Sequence, residues 1–373
     1  MSTSIHREVD NDLHWADFAH QWLIRADTTY LNHGSWGPPP EVVRLVRRKW
    51  IDRMDCQPMD FFLRDYEPEL NHARDRVANF VSTARSNLVL VDHATFGMNV
   101  VADSFPLDAG DNVLLNNHEY GAVQRIWQRA CGRHQAQVRV AQLPGKFESK
   151  DQIIDCLLSA ADERTKLVVF SHITSPTALI LPAAEISSAF RQRGISVCID
   201  GPHAPAHVDL DLGNIGCDFY TASCHKWLSA GLGSGFLFVD PRWHDRIEPV
   251  VKSWGRLLPA LPESWDDEFT WSGTRDPSGW LSIPTAIDFL ANQVGLDAFR
   301  ERTRYLATQA EHLLCEEFGT TPIGERSQGW YGAMAHIPLP HGDFSRLQQA
   351  LWEEYQIEVP IIHFDDHWFV RVS

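Results

Sequence analysis

A single lysine, Lys226, lies in the segment "SCHKW" between two short apolar segments. "DFYTA" from Asp218 and "GFLFV" from Gly235 each have the length and aromatic content of a β-strand, so Lys226 falls on the connection between two strands. Its neighbours are Ser223, His225 and several glycines, with no acidic residue close by in sequence. A weakly charged, buried setting disfavours the ammonium form and lowers the pKa of a lysine. An amine of that kind can attack a carbonyl group.

Two other groups that could take part in chemistry also fall at the ends of predicted strands. Asp200 ends the apolar segment "ISVCID", and Ala94, Thr95 and Gly97 lie between the strand "NLVLV" and the start of a predicted helix. The N–H groups at the start of a helix, together with its dipole, favour the binding of a phosphate. A reactive amine, a carboxylate and a phosphate site together predict pyridoxal phosphate, whose aldehyde, pyridinium nitrogen and phosphate they match.

The elements that would position these groups alternate along the chain. Strand-like segments begin near Asn87, Asn112, Gln137, Lys166 and Ile195, and the two segments around Lys226 follow them. Amphipathic helical stretches separate most of them, for example residues 182–194. This alternation predicts an α/β fold with a mostly parallel seven-stranded sheet and ligands at the carboxyl ends of its strands.

The pattern changes after Pro277. One long helical stretch is predicted from "LSIPTAIDF" to "EEFG", followed by strand-like pieces at "WYGAMAHIPL", "IEVPIIH" and "HWFVRVS". We therefore predict an N-terminal segment (1–30), a large cofactor-binding domain (31–276) and a small C-terminal α+β domain (277–373).

The composition restricts the partners and the compartment. A formal net charge of −16 argues against nucleic acid or an anionic membrane as the main partner. No apolar run approaches the roughly 20 residues that span a bilayer, and the polar N-terminal segment lacks the apolar core of a signal peptide. The seven cysteines are scattered without a C-x-x-C motif, which is typical of free thiols in a reducing compartment. These features predict a cytoplasmic protein.

The motifs "D-x-x-H" from Asp200 and "S-x-H-K" ending at Lys226 resemble the class V aminotransferase family of fold-type I pyridoxal-phosphate enzymes. Within that family, "YLNHGSWGPPP", "NHEYGAVQRIW", "FSHITSPTALILP" and "FTWSGTRDPSGWLSIPTAIDF" look like the isopenicillin N epimerase-like branch. The resemblance runs from about Tyr30 to Ser373. One departure is a histidine, His93, where the family usually has an asparagine.

The resemblance implies a role for each matching residue. Lys226 would bind the cofactor aldehyde and act as the base, Asp200 would pair with the pyridinium nitrogen, and His203 would lie near the ring oxygen or face. The phosphate would be held by Ala94, Thr95, Ser223 and His225, and by Gly273 and Thr274 from a second subunit, which implies a homodimer with shared active sites. Tyr120 would stack on the ring and Ser175 would lie near its oxygen. The substrate would be bound by Arg371, through its carboxylate, and by Asn32 and Gly34.

Several alternatives remain at this point. Thr95 could simply cap a helix, Tyr120 could pack in the core, and Arg371 could form a structural ion pair. The resemblance implies epimerization of an amino acid through an external aldimine, with β-elimination (as in hercynylcysteine sulfoxide lyases) and transamination as alternatives. A non-catalytic binding module is the fourth possibility. Cysteine desulfurases carry a reactive cysteine shortly before the arginine motif, whereas the last cysteine here, Cys315, lies far upstream.

No metal site is predicted. His203 and His207 have the i, i+4 spacing of metal ligands, but the proline between them argues against a regular helix. His363 and His367 fall on a predicted loop between two C-terminal strands.

Overall fold

The computed structural model describes residues 15–145, 149–257, 259–322 and 329–373. Its centre is a seven-stranded sheet in the order β2-β8-β7-β6-β5-β3-β4. The strands are β2 (Leu88–Val91), β3 (Asn112–Asn116), β4 (Gln137–Ala141), β5 (Thr165–Ser171), β6 (Ser196–Asp200), β7 (Phe219–Ser223) and β8 (Gly235–Val239). All seven coincide with segments that the sequence predicted as strands. The α/β fold class with a seven-stranded sheet is thereby confirmed.

The sheet is parallel except for β8. The pairs β3–β4, β3–β5, β5–β6 and β6–β7 are parallel, whereas β8 runs antiparallel to both β7 and β2. Every residue of β3, β7 and β8 is buried, as expected for strands covered on both faces. Because β5, β6 and β7 are parallel neighbours, their carboxyl ends lie side by side at one edge of the sheet.

Helices cover both faces. Along the chain they are α1 (Glu41–Cys56), α2 (Pro58–Asp60), α3 (Tyr66–Phe80), α4 (Ala94–Ser104), α5 (Gly121–Arg133), α6 (Lys150–Ala160), α7 (Ala183–Gln192) and α8 (Leu212–Ile215). A π-helical turn, Phe61–Asp65, joins α2 to α3. One core cluster contains residues of α4 and α5, and a larger one contains residues of α1, α3, α6 and α7.

Helix α4 packs very closely on β7. A Cβ atom at Gly97 would lie 2.3 Å from the Oγ1 atom of Thr221, so only glycine permits this approach. The sequence placed Gly97 in the phosphate-binding turn, and the structure instead uses it as a packing contact one turn into the helix. The contact brings the N-terminus of α4 beside the end of β7.

The long helix predicted after Pro277 is broken into several pieces, so that prediction was wrong. The pieces are α9 (Ser278–Leu281), α10 (Ile283–Asp288), a π-helical turn (Phe289–Val294) and α11 (Leu296–Phe318). Gly295, at φ 87°, separates the π-helical turn from α11. That conformation is accessible to glycine and interrupts a right-handed helix.

The C-terminal part forms a second, three-stranded antiparallel sheet in the order β11-β12-β9, with a core cluster of its own. Its strands are β9 (Ala335–Pro338), β11 (Ile361–Phe364) and β12 (His367–Val372), and α12 (Leu347–Tyr355) precedes the short strand β10 (Ile357–Glu358). Strand β1 (Thr29–Tyr30) pairs with β10, which attaches the N-terminal segment to this part. Helices α9 and α10 belong to the larger core cluster, and the domain limits remain a prediction.

None of the helices in the described ranges is both long enough and apolar enough to cross a bilayer.

Candidate active site

A cavity of about 520 Å³ opens at the carboxyl ends of the central strands. Its volume is within the range of small-molecule sites. Eleven of the residues singled out in the sequence line it: Gly34, Ala94, Thr95, Tyr120, Ser175, Asp200, His203, Ser223, His225, Lys226 and Arg371. Residues from seven separate parts of the chain therefore meet in one place.

Lys226 lies on the connection from β7 to β8, and its amine faces this cavity. The Nζ atom is 3.3 Å from Nε2 of His203. Burial lowers the pKa of Lys226 to about 8; the nearby charge of Arg371 also lowers it, and Asp200 opposes the shift. The unprotonated amine, which is the form that attacks a carbonyl, is therefore far more populated near neutral pH than in a lysine of ordinary pKa.

Asp200 is the last residue of β6 and is only 3% exposed. Burial raises its pKa to about 7, and the neighbouring charge of Lys226 partly opposes that shift. A buried carboxylate is costly without a cationic partner. A protonated ring nitrogen would be such a partner, so this carboxylate fits a pyridinium cofactor.

His203 is the buried neighbour of the Lys226 amine. It is 1% exposed, and its Nδ1 atom has no hydrogen-bond partner within the described ranges. Burial and the charges of Lys226 and Arg371 hold its pKa well below the usual value for histidine, so the ring is neutral. The unpartnered Nδ1 atom leaves one polar contact of this ring open for a bound group.

The predicted phosphate site surrounds the N-terminus of α4. His93 caps this helix, and its Nδ1 atom accepts a hydrogen bond from the Phe96 N–H at 3.2 Å. The sequence predicted that the Ala94 N–H would be available to bind an anion. In the structure this N–H donates to Oγ of Ser223 at 3.1 Å. The Ser223 hydroxyl retains its own hydrogen, and Thr95 also lines the cavity. The helix dipole and these hydroxyls fit a phosphate.

His225 contributes to the same end of the cavity. Its Nδ1 atom is 3.2 Å from the carbonyl oxygen of Ser234, a contact in which the nitrogen donates. Burial lowers the pKa of His225 to about 4, with the charge of Lys226 as a further cause. The ring is therefore neutral, and Nε2 has no hydrogen to donate. A phosphate beside it would favour the protonated ring, which could donate from Nε2.

Arg371 lines the same cavity from β12. It donates from Nη1 to the carbonyl oxygen of Ser175 at 2.6 Å and from Nη2 to Oγ of Ser35 at 3.0 Å. Its Nε atom is buried without a partner in the described part of the chain, and burial lowers its pKa to about 10. The acceptors on Ser175 and Ser35 are neutral, so the positive charge of the guanidinium is not compensated by them. The guanidinium can therefore donate two hydrogen bonds to a carboxylate in the paired geometry that arginine favours.

Tyr120 is not a core residue. It precedes the first residue of α5, and 48% of it is exposed although it lines the cavity. An aromatic ring at that position can lie against a bound ring system. The predicted stacking role fits this placement and remains a prediction.

Three predicted residues lie outside the cavity lining. Asn32 is buried and donates from Nδ2 to Oε1 of Glu358 at 3.0 Å, so it joins the segment after β1 to β10. Gly273 has a φ of 124°, and Thr274 is exposed. The next residue, Arg275, forms an ion pair with Asp92, at the end of the segment that leads into α4.

The segment from residue 31 to residue 37 also helps to form the site, and sequence reasoning missed most of it. The Gly37 N–H donates to the carbonyl oxygen of His225 at 3.1 Å, and Nε2 of His33 is 3.2 Å from the carbonyl oxygen of Lys226. A Cβ atom at Gly37 would lie 1.9 Å from that same carbonyl oxygen, so glycine is needed for the approach. Ser35 and Trp36 line the cavity beside Gly34. No local pattern reveals these contacts between residues so far apart in sequence.

Glu119 is a second buried carboxyl group that sequence reasoning missed. It accepts hydrogen bonds from the N–H of Ser171 at 2.8 Å, from Oγ of Ser171 at 2.7 Å and from Nδ2 of Asn116 at 2.5 Å. Burial raises its pKa to about 8. An acidic residue just after the buried strand β3 was the available signal, the same signal that identified Asp200.

The cysteines do not contribute to the cavity lining that the structure describes. No cysteine in the described ranges lines the cavity, and Cys315 is buried in the second core on α11. His207 has the sequence spacing of a metal ligand with His203, but both of its ring nitrogens already form hydrogen bonds. Nδ1 donates to the carbonyl oxygen of His203, and Nε2 accepts from the Ala333 N–H. Among the residues that the structure describes, no group of three or more potential ligands could hold a metal ion.

Comparisons with known proteins agree with this geometry. The model of the family "Aminotransferase class-V" matches residues 63–360. The isopenicillin N epimerase of Streptomyces clavuligerus is 36% identical, over 96% of this chain and 93% of that protein. The putative L-cysteine desulfhydrase 1 of Oryza sativa subsp. japonica is 30% identical, over 93% of this chain and 75% of that protein.

The fold has relatives among solved structures. A mutant of C-DES with glycine covalently linked to its PLP cofactor superimposes with a TM-score of 0.80, at 19% identity, over 95% of this chain and 94% of that chain. This chain belongs to the aminotransferase class V family. Membership confirms the fold-type I architecture and the expectation of an enzyme that uses pyridoxal phosphate.

Proposed function

We propose that this protein acts at the α-carbon of an amino-acid substrate and, like the isopenicillin N epimerase that it resembles, inverts the configuration there. The observation that carries the proposal is that Lys226 and Arg371 line the same cavity. Between them there is room for an amino acid whose amine faces Lys226 and whose carboxylate binds Arg371. The α-carbon then lies within reach of the lysine.

Residues of the same cavity lining would hold the cofactor. Lys226 would bind the aldehyde, Asp200 the ring nitrogen, and Thr95, Ser223 and His225 the phosphate. When bound there, pyridoxal phosphate supplies an electron-withdrawing system that acidifies the proton on the α-carbon of the substrate.

The groups of the chain then move protons. The unprotonated amine of Lys226 accepts the α-proton as a general base, a role that its pKa of about 8 suits near neutral pH. Arg371 holds the carboxylate, which fixes the orientation of the α-carbon. Epimerization requires that the proton returns to the opposite face of that carbon, and no bond to the β-carbon breaks.

The second candidate is β-elimination, in which a leaving group departs from the β-carbon after the same proton transfer. The 30% identity to a putative cysteine desulfhydrase favours it. Transamination ranks third, and it differs in returning the proton to the cofactor. A non-catalytic binding module is opposed by the presence of both Lys226 and Asp200 in one cavity.

A homodimer with shared active sites is part of the proposal. Thr274 is exposed, and the cavity mouth carries two large exposed apolar side chains, Trp36 at 61% and Leu232 at 53% exposure. Exposed apolar groups beside a site often mark an interface. A second subunit that covers this mouth would bring its own Thr274 toward the phosphate end. We further propose a cytoplasmic location and no nucleic-acid partner, on the cysteine pattern and the net charge of −16.

The test incubates holoenzyme with a panel of L-amino acids in D₂O and follows each by proton NMR and chiral chromatography. We expect exchange of the α-proton together with appearance of the D-isomer, without keto acid or thiol. Release of a β-substituent with pyruvate would favour elimination, and stoichiometric keto acid would favour transamination. A protein that takes up no pyridoxal phosphate would support the binding module.

A further inference from the structure

Glu119 is a buried acidic residue that the reaction described above does not use. It lies in the turn after β3, directly before Tyr120, and is only 4% exposed. Burying a carboxyl group is costly unless its oxygens are hydrogen-bonded, and here both oxygens have partners. The described lining of the active-site cavity does not include Glu119, but it includes Tyr120 and Ser171, its hydrogen-bond partner. Any part that Glu119 takes in the reaction must therefore pass through such neighbours.

The Glu119 carboxyl group joins the ends of two neighbouring strands. Its Oε1 atom accepts from the N–H of Ser171 at 2.8 Å and from Nδ2 of Asn116 at 2.5 Å. Its Oε2 atom accepts from the Ser171 hydroxyl at 2.7 Å. Asn116 is the last residue of β3 and Ser171 is the last residue of β5, the strand that pairs with β3. Three hydrogen bonds to two strand ends therefore fix the side chain of Glu119.

Backbone contacts fix the same turn. The Glu119 N–H donates to the carbonyl oxygen of Asn116 at 3.3 Å, and the Glu119 carbonyl oxygen accepts from Nε2 of Gln124, on α5, at 3.1 Å. The next residue, Tyr120, is 48% exposed, so the protein surrounds its ring only in part. The position of that ring in the cavity therefore depends on the backbone to which it is attached.

We infer that Glu119 is a positioning residue: by joining the turn after β3 to the end of β5, it holds Tyr120 where the ring can lie against the bound cofactor. The inference rests on the proposed cofactor site, in which Tyr120 stacks on the ring. Ser171 pairs directly with Asp200, the residue proposed to bind the ring nitrogen. The same hydrogen bonds therefore connect the turn that contains Tyr120 to the strand end beside Asp200.

The test measures the dissociation constant of pyridoxal phosphate for the 373-residue chain by equilibrium dialysis, with two substitutions made singly and together. Tyr120→Ala removes the ring and should weaken binding about tenfold. Glu119→Ala retains the ring without its support and should weaken binding about fivefold. If Glu119 acts through Tyr120, the double variant should match Tyr120→Ala within about twofold. Independent effects would multiply to about fiftyfold, and that result would overturn the inference.

Glu119→Gln is the conservative variant. Its amide oxygen can accept from the two N–H donors, and its NH₂ group can donate to the Ser171 hydroxyl. Burial raises the pKa of Glu119 to about 8, so the acid is mostly neutral at neutral pH and the amide resembles it. Glu119→Gln should therefore retain the affinity of the wild type. A loss as large as that in Glu119→Ala would overturn the inference and indicate that the charge of Glu119 acts on Asp200.

Asp218→Ala is the matched control, at the amino ends of the strands. Asp218 is 2% exposed, directly precedes β7, and accepts from the N–H of Val197 on β6 at 2.8 Å. It also joins two strands through a buried carboxyl group, but far from Tyr120 in the sheet order. Its loss should lower the melting temperature and leave the dissociation constant within about twofold. If Asp218→Ala weakened cofactor binding as much as Glu119→Ala, general loosening of the sheet would explain both effects and the inference would fail.

Two further outcomes are decisive. An unchanged dissociation constant in Tyr120→Ala would mean that the ring does not contact the cofactor, which overturns the inference and leaves the proposed reaction intact, since that reaction depends on Lys226 and Arg371. If Glu119→Ala does not fold, Glu119→Asp replaces it in the cycle. A side chain shorter by one methylene group cannot retain all three hydrogen bonds, so the same comparison with Tyr120→Ala applies.

Discussion

The two ends of the active-site cavity are built in different ways. The cofactor end consists of residues at or just after the ends of β6 and β7 and at the start of α4, all within one sheet and its covering helix. The substrate end combines Ser35 from the segment 31–37, Ser175 from the connection after β5, and Arg371 from the second sheet. The first is one rigid unit, whereas the second depends on how separate parts of the chain are packed together.

This difference predicts how each end responds to substitution. Changes at the cofactor end should remove chemistry while leaving the fold intact, because each group lies at a strand end and not inside the core. Changes at the substrate end should alter binding and selectivity. The same division explains the opposing influences on Lys226, since Asp200 at one end raises its pKa and Arg371 at the other lowers it.

The largest expected effect is that of Lys226→Ala. It removes both the amine that binds the cofactor and the general base, so we expect turnover to fall on the order of 10⁴-fold or more. The measurement is steady-state turnover, with the circular dichroism spectrum and melting temperature as checks on folding. Lys226→Arg is the control, because it retains a long cationic side chain without a nucleophilic amine and should be equally inactive. Substantial activity in either variant would disprove the assignment of the lysine.

Asp200→Asn should have the next largest effect. The amide retains the size of the side chain but no longer stabilises a protonated ring nitrogen, and we expect about a 10²–10³-fold loss in kcat, similar to the removal of one preorganised electrostatic group. Cofactor content, measured after dialysis, should stay near that of the wild type because the phosphate contacts remain. Near-normal kcat would mean that another group partners the ring nitrogen.

Much of the cofactor end could be predicted from sequence because its signals are local. Asp200 and Lys226 stand out as charged residues next to buried apolar strands, and the start of α4 follows a strand directly. The strand predictions held for the same reason. Gly97 and the break at Gly295 were misassigned, since sequence does not distinguish a glycine that permits close packing from one that forms a turn.

The substrate end could be predicted only in part. Arg371 was found through a family motif, but its contacts with Ser35 and Ser175 join residues 336 and 196 positions apart. Asn32 was assigned to the substrate and instead bonds to Glu358, because the segment after β1 turns its amide toward β10. Contacts of this kind follow from how distant segments pack, which no local pattern encodes.

The pH dependence of cofactor uptake should show both ends acting on Lys226. Only the unprotonated amine reacts with the aldehyde, so the rate at which cofactor-free enzyme takes up pyridoxal phosphate should rise with pH and level off above about 8. Asp200→Asn removes a charge that raises this pKa and should shift the midpoint to lower pH. Arg371→Gln removes a charge that lowers it and should shift the midpoint to higher pH. Stopped-flow absorbance measures all three profiles, and shifts in the same direction would contradict the arrangement.

The smallest expected effect concerns the cofactor end and the second subunit. Thr274 lies outside the cavity of its own chain and is exposed, while Arg275 holds the segment against Asp92. If its hydroxyl completes the phosphate site of the other subunit, cofactor binds only to the dimer and must stabilise it by mass action. Sedimentation velocity over a dilution series should then show that cofactor-free protein dissociates more readily than holoenzyme, and Thr274→Val should narrow that difference. Thr274→Ser, which retains the hydroxyl, should restore it. If the dissociation constant of the dimer depends on neither the cofactor nor the substitution, Thr274 does not contribute to the cofactor site of the other subunit. The cofactor site would then be complete within one chain, in which Lys226, Asp200 and Ser223 all come from the same sheet.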